Sequence, residues 1–196
     1  MENGKLNLVI GPMYSGKSTE LLRIYNKYKR NYNIIAFNHK ADNRYGNNSV
    51  NTHNNESLSC ISVDKLYDYY DNFIQNKNNI DIVLIDESQF FEDLYDFCKD
   101  IVENYNKIVY VFGLSGDSNR YKFGEILDLI PIADDIKFLK SICNICKIVK
   151  DAPFTMRIAK NNEQMLVGSS DEYMAVCRNC WLNNSNKNIE DFKINN

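Results

Sequence analysis

The sequence predicts an α/β fold: a parallel sheet flanked by helices, followed by a small β-rich unit organised by cysteines. Three observations predict it. Short apolar runs alternate with helical patterns over roughly the first 140 residues. The first of these runs, LNLVI at 6–10, feeds directly into a glycine-rich loop and a helical pattern. Four of the six cysteines fall into two C-x-x-C pairs, Cys143/Cys146 and Cys177/Cys180, late in the chain.

The elements follow in order. Leu6 to Ile10 reads as a buried parallel strand. Ser18 to Tyr28 reads as a helix, with Leu21, Leu22, Tyr25 and Tyr28 on roughly one face. Asn33 to Asn38 (NIIAFN) is a second strand. His39 to Ser59 is polar and Asn-rich and reads as a long loop, with His39 and His53 as plain loop residues. Leu66 to Phe73 suggests a helix. Ile80 to Ile85 is a strand that ends on Asp86-Glu87. Phe91 to Tyr105 is helical in pattern, and Ile108 to Leu114 is a strand followed by a Gly-containing turn. Ile126 to Ala133 starts a further helix with a weak point at Pro131. After about residue 140, short β-like pieces at 154–158, 164–167 and 173–176 lie between the cysteine pairs. The expected division is 1–140, 141–182 and a loose polar tail at 183–196.

Bulk properties narrow the function. The 196 residues suffice for one good core and a small appendage. A net charge of −3, from 23 basic and 26 acidic side chains, argues against a general nucleic-acid binder. No apolar run approaches the roughly 20 residues that span a membrane. The N-terminus, MENGKLNLVIG, does not read as a signal peptide, which places the chain in the cytosol, or in the nucleus by diffusion. In that setting paired cysteines read as metal ligands, and Cys60 and Cys98 as ordinary thiols. The abundance of Asn, Lys, Ile and Tyr reads as compositional bias.

Three motifs carry chemistry. GPMYSGKST at 11–19 matches G-x-x-x-x-G-K-[ST] through Gly11, Gly16, Lys17 and Ser18. Such a loop turns backbone N–H groups toward phosphate oxygens, and the following helix adds its positive end. Lys17 would neutralise the β- and γ-phosphates, and the Ser18 hydroxyl would ligate Mg²⁺. IDIVLIDES places Asp86 at a strand end, where it would hold Mg²⁺. Glu87 beside it can take a proton from a nucleophile attacking the γ-phosphate. Whether that nucleophile is water or a substrate hydroxyl stays open at this point. The four cysteines match a closed tetrahedral Zn²⁺ site, with a redox dithiol pair or a nucleic-acid-binding ribbon as the alternatives. Phe90, Phe91, Leu114 and Phe123 lie near the acidic strand end; most phenylalanines are core, but a flat base can stack on such rings.

Taken together and in order, these stretches resemble the zinc-containing, cytosolic-type (type II) thymidine kinases. The matching stretches are GPMYSGKSTELLR, DNRYG, THN, IDESQFF, a Gly-Leu-x-Gly turn with Arg120 and Phe123-Gly124, both C-x-x-C pairs, APFTMR and SSDEYMAVCRNC. They run from about residue 7 to about 182. The resemblance implies a P-loop kinase fold and transfer of the γ-phosphate of ATP to the 5′-hydroxyl of thymidine, and of deoxyuridine. It implies Glu87 as general base, with Lys17 and Arg44 stabilising the moving phosphoryl group. It implies an ATP site from Gly11, Pro12, Met13, Tyr14, Ser15, Gly16, Lys17, Ser18 and Thr19, from Asp42, Asn43 and Arg44, and from Asp86, Glu87, Ser88 and Gln89. Ser18 and Asp86 would serve Mg²⁺. The base would meet Met13, Phe90, Leu114, Phe123, Thr155 and Tyr173, and the backbone of Gln164, Met165, Leu166, Val167 and Gly168. Cys143, Cys146, Cys177 and Cys180 would hold structural Zn²⁺. A homotetramer, with a dimer as the alternative, and feedback by dTTP are further implications, and neither a membrane nor a specific nucleic acid is an implied partner. Two positions depart from the family. Ser118 stands where an aromatic residue usually contacts the base, and Gly168-Ser169 stands where a Gly-Gly pair precedes the binding tyrosine. Both changes bear on base affinity and selectivity, not on phosphoryl chemistry.

Overall fold

The computed structural model describes residues 3–42, 49–51, 57–146, 151–158 and 172–184. Strand β1 (Lys5–Gly11) leads through the glycine-rich loop into helix α1 (Lys17–Tyr28), and β2 (Ile34–His39) follows. β3 (Ser49–Asn51) and β4 (Ser57–Ser59) form a separate antiparallel pair, and β5 (Ile61–Val63) returns to the main sheet. A 3₁₀ turn at Leu66–Tyr69 runs into α2 (Tyr70–Asn76), then come β6 (Ile82–Ile85), α3 (Leu94–Glu103) and β7 (Ile108–Leu114). A 3₁₀ segment, Ile126–Ile132, precedes β8 (Asp135–Phe138). The C-terminal part holds β9 (Phe154–Arg157), β10 (Tyr173–Val176) and α4 (Arg178–Asn184).

The main sheet has six strands in the order β5-β2-β6-β7-β1-β8. Every neighbouring pair is parallel. Alternation along the strands sends side chains to two cores. Leu6, Leu8, Ile10, Val83, Ile85, Val109 and Val111 face α2 and α3, meeting Phe73, Leu94, Phe97 and Ile101. Val9, Ala36, Ile82, Leu84 and Phe112 face α1, meeting Leu21, Leu22 and Ile24. Helices thus cover both faces, as a buried parallel sheet requires. Glu20 of α1 accepts from Arg23 (2.7 and 2.8 Å) and from Lys137 of β8 (2.9 Å). The Arg23 bonds, then Lys137, hold its carboxyl down at about 2. This small stabilisation is present above the usual carboxyl pKa and is lost as pH falls through about 2.

Several expected elements differ in detail. The helix expected from Phe91 begins at Leu94, because Ser88–Phe90 forms a tight 3₁₀ turn and Phe91 is extended. The helix expected at 126–133 is a 3₁₀ segment; Pro131 inside it has no N–H to continue an α-helical ladder. The 66–73 helix is split into a 3₁₀ turn and α2. The 39–59 loop carries β3 and β4. Helix α4 runs two residues into the expected tail, where Asn184 Nδ2 donates to the Cys180 carbonyl at 2.8 Å. The β-like piece at 164–167 lies outside the described residues.

Phe97 is the hub of the larger core. Its ring is fully buried and meets Phe37, Tyr67, Tyr70 and Phe73 at centroid distances of 6.1, 5.6, 6.5 and 6.2 Å. Phe97→Ala is expected to cost about 3–5 kcal/mol, measured from the shift of the urea unfolding midpoint.

Candidate active site

The parallel order brings the carboxyl ends of β1, β6 and β7 side by side, where ligands bind in open α/β sheets. Gly11 at the end of β1 pairs with Leu114 at the end of β7, and Ile85 of β6 pairs with Val111. Loop 11–18 leaves β1 at this edge. Gly16 has φ +86, a conformation that side chains disfavour, and it lets α1 start at Lys17. Lys17 is buried at 8% exposure, and its Nζ donates to the carbonyls of Pro12 (2.7 Å) and Gly11 (3.4 Å). The ammonium is therefore held over the loop. The Ser15 hydroxyl is buried with no hydrogen-bond partner among the described residues, so the loop keeps a polar group for a ligand. Tyr14 and Thr19 are exposed beside it, Pro12 is buried, and Ser18 is half-buried in the first turn of α1.

At the end of β6 Asp86 is buried, and its backbone N–H donates to the Phe37 carbonyl at 2.9 Å. Its Oδ1 accepts the Glu87 N–H at 3.0 Å. Glu87 adopts a left-handed conformation, φ 47 and ψ 39. For a non-glycine residue this is a strained turn, and such strain concentrates at functional sites. It aims the carboxylate away from the strand axis toward buried Gln89, whose Nε2 donates to Glu87 Oε2 at 2.6 Å. The Leu114 N–H donates to Gln89 Oε1 at 3.1 Å. That second bond settles which end of the amide is oxygen, so the NH₂ end must face Glu87. Gly124, at φ +63, lies so close to the Gln89 carbonyl that a Cβ there would overlap it. Ser88 is fully buried in the same turn.

Asp42, the other expected acid, is also buried and accepts from Asn38 Nδ2 at 3.4 Å. Burial pushes the Cys60 thiol up to about 11, and the fields of Asp86 and Asp42 add to it. Asn43 and Arg44 lie outside the described residues.

The expected base contacts form two groups. Phe90 and Phe123 meet edge to face at 5.6 Å, and the Leu114 N–H reaches the side chain of Gln89, the residue before Phe90. His39, expected as a plain loop residue, ends β2 and packs on Phe90 and Phe91 (5.7 and 4.8 Å). Fully buried Phe91 belongs to the core. The second group sits on the antiparallel pair β9/β10. Thr155 Oγ1 accepts the backbone N–H of Met13 at 3.0 Å, tying β9 to the glycine-rich loop. Buried Tyr173 accepts from Arg157 Nη2 at 2.7 Å. Gln164, Met165, Leu166, Val167, Gly168 and Ser169 lie outside the described residues, as does His53.

Cys143, Cys146, Cys177 and Cys180 converge, with all four Sγ atoms within 4.8 Å of one another. Cys146 and Cys177 are 3.9 Å apart, close to the roughly 3.8 Å between sulfurs on a tetrahedral Zn²⁺. Burial opposes charge on Cys143, but backbone N–H groups of Cys177, Cys146 and Ile145 outweigh it and lower its pKa. Burial, with the neighbouring thiols, pushes Cys180 the other way, so the convergence of the four sulfurs, and not their titration, is what suits a metal. These cysteines nucleate their own apolar cluster with Ala152, Met156, Ile158 and Val176. The Asn144 N–H donates to the Ala175 carbonyl at 3.0 Å, fixing the first cysteine pair to β10.

Sequence reasoning placed Gln89 near phosphate and missed its bridge from Glu87 to Leu114. It named Arg120 within a motif without its contacts, and it missed Asp117 and Trp181. The only available signals were Gln89 two residues after Glu87 and Trp181 next to Cys180.

The thymidine kinase family model matches residues 4–181. The chain is 41% identical over 183 residues to the thymidine kinase of Sheeppox virus (strain KS-1), covering 93% of this chain and 99% of that protein. It is 38% identical over 197 residues to thymidine kinase a of Arabidopsis thaliana, covering 96% and 82%. Against the thymidine kinase of Vaccinia virus (strain Western Reserve) it is 36% identical over 183 residues, covering 93% and 99%. With the family model spanning nearly the whole chain and the identities well above 30%, the chain belongs to the thymidine kinase family.

Proposed function

We propose that the chain transfers the γ-phosphate of ATP to the 5′-hydroxyl of thymidine, and of deoxyuridine, giving ADP and the 5′-monophosphate. The observation that carries this reading is the Glu87–Gln89–Leu114 bridge. It ties an acid suited to proton removal to the strand end that bears the base wall. Such a link serves an acceptor that has a base at one end and a hydroxyl at the other, and water has no use for it.

In this reading the Glu87 carboxylate takes the 5′-hydroxyl proton as the oxygen attacks the γ-phosphorus. The bond from that phosphorus to the β–γ bridging oxygen breaks, and ADP leaves. Charge develops on the equatorial oxygens, which fixed cations stabilise without reorganising. Lys17, already held by loop carbonyls, is one such cation, and Arg44 is the other. Gly11 to Thr19, Asp42, Asn43, Ser88 and Gln89 would complete the nucleotide site. Ser18 and Asp86 offer the hard oxygen donors that Mg²⁺ takes, and bound Mg²⁺ would neutralise phosphate charge. Met13, Phe90, Leu114, Phe123, Thr155 and Tyr173 would enclose the base, with 164–168 reading its edge through the backbone. The four cysteines would hold Zn²⁺, which anchors both ends of the segment carrying that stretch. A division at about residue 140, a homotetramer, dTTP feedback and a cytoplasmic location complete the proposal. No helix among the described residues is long and apolar enough to cross a membrane.

Two outcomes are expected. Glu87→Gln should lower kcat by roughly 10²–10⁴-fold with the melting temperature held, in an assay of thymidine-dependent ADP release. If thymidine does not stimulate ADP release by the unmodified protein, the reading fails. The purified protein should carry zinc by elemental analysis. Cys143→Ser should lose it and raise the thymidine KM far more than the ATP KM; retained zinc would break the assignment of the cysteines.

A further inference from the structure

The turn between β7 and the 126–132 segment is braced from within. Asp117 is buried, and its Oδ1 accepts the N–H groups of Asn119 (2.9 Å) and Tyr121 (2.8 Å). The Asp117 N–H donates to the Tyr121 carbonyl at 2.9 Å, and the Arg120 N–H to the Asp117 carbonyl at 3.0 Å. These bonds hold Arg120 at φ 67, in the left-handed region that non-glycine residues rarely adopt.

The strained backbone aims one side chain. The Arg120 guanidinium carbon lies 3.6 Å from the Trp181 ring centre and 5.6 Å from that of Phe154. Arg178 approaches Phe154 as well, at 4.8 Å. Trp181 also donates its indole N–H to the Ser118 carbonyl at 3.1 Å. Both rings belong to the cysteine-bearing region. Trp181 follows Cys180, and Phe154 precedes Thr155, whose hydroxyl holds the Met13 N–H. The other end of the same turn carries Phe123, packed on Phe90. One short turn therefore holds a wall of the expected base site at one end and grips the region bearing Thr155 and Tyr173 at the other. An aromatic ring also reaches Ser118 from across this joint.

We propose that Arg120 is a positioning residue that docks the cysteine-bearing region onto the turn, and so sets the spacing between Phe123 on one side of the base site and Thr155 and Tyr173 on the other. The proposal rests on the reading of these three residues as base contacts. A planar guanidinium suits the task because it can lie flat on the Trp181 ring at 3.6 Å while its charge reaches Phe154 at 5.6 Å, whereas an ammonium has no plane to stack. A contact that only added stability would shift thymidine and ATP kinetics together or not at all.

The test uses the full-length, zinc-loaded protein. Trp181 is the chain's single tryptophan, so its emission reports this joint alone. In Arg120→Ala the thymidine KM should rise about tenfold, with kcat and the ATP KM within about twofold of the unmodified protein. Trp181 emission should move to the red and zinc content should hold. Arg120→Lys, which keeps the charge and the fold but loses the plane, should recover less than half of the effect on KM. An unchanged thymidine KM in both variants, with emission shifted, overturns the proposal. So does an equal loss in kcat and in both KM values. Phe123→Ala separates the underlying reading: if its thymidine KM is unchanged, the base wall is misassigned. In that case the Arg120 proposal falls with it; if Phe123→Ala raises the thymidine KM and Arg120→Ala does not, the Arg120 proposal alone fails.

Discussion

The pairing of Gly11 with Leu114 is the constraint on which the site depends. It sets the level at which two strands stop, and the Ser115 N–H still donates to the Gly11 carbonyl at 3.2 Å beyond it. From one side of that pair the chain enters the glycine-rich loop. From the other it presents the Leu114 N–H to Gln89 and so reaches Glu87. A slip of one residue between β1 and β7 would do more than move the loop. It would turn every side chain of β1 to the opposite face and exchange the two cores. The register is thus enforced by burial of Leu6, Leu8 and Ile10 on one face and Val9 on the other. The hydrophobic pattern of β1 itself sets the position of the candidate site's edge.

The second organising element is a set of unfavourable backbone conformations with compensating bonds. Among the described residues four non-glycines have positive φ: Tyr14, Glu87, Asn106 and Arg120. Asn106 serves an ordinary turn before β7. The other three stand in the glycine-rich loop, at the end of β6 and at the joint to the cysteine-bearing region. Each such residue costs of order 1–3 kcal/mol and persists only where its surroundings over-determine it. Glu87 is held by Asp86 and Gln89, and Arg120 by Asp117. In both cases a buried polar side chain close in sequence supplies the bonds. Those side chains are satisfied only in the strained conformation, so relaxing the backbone would leave buried polar groups unpaired.

Much of the fold was legible because strong local signals agree. LNLVI and IDIVLI are short apolar runs with sharp ends, and they come out as β1 and β6 within two residues. The loop, the acids and the cysteine pairs carry their chemistry in residue type and spacing. The missed elements have weak local signals. β8 alternates charge and apolar residues (DIKF) and has a single neighbour, so it shows no buried run. β5 has three residues. Phe91 belongs to the helical pattern by period, but it is buried from an extended segment, and periodicity does not separate the two. In the site, the Gln89 bridge joins residues 25 apart, and the Trp181–Ser118 bond joins residues 63 apart. Neither partner has a spacing that any motif encodes. Such contacts become visible only when the sheet order is known.

These observations also show how a metal held by the four cysteines would bear on the rest of the candidate site. Lys17 and Glu87 belong to the edge of the main sheet, whereas the cysteine cluster belongs to the region of β9, β10 and α4. It organises β9 and β10 through its own small core, and β9 delivers the Thr155 hydroxyl to the Met13 N–H. One hydrogen bond of this kind contributes only about 1 kcal/mol. Its importance is geometric, because Met13 lies within the loop whose carbonyls hold Lys17. The region is gripped a second time at Trp181 and Phe154. One contact would leave a hinge, whereas two fix an orientation. Ordering the cysteine region therefore constrains the glycine-rich loop and the turn that carries Phe123 in the same act.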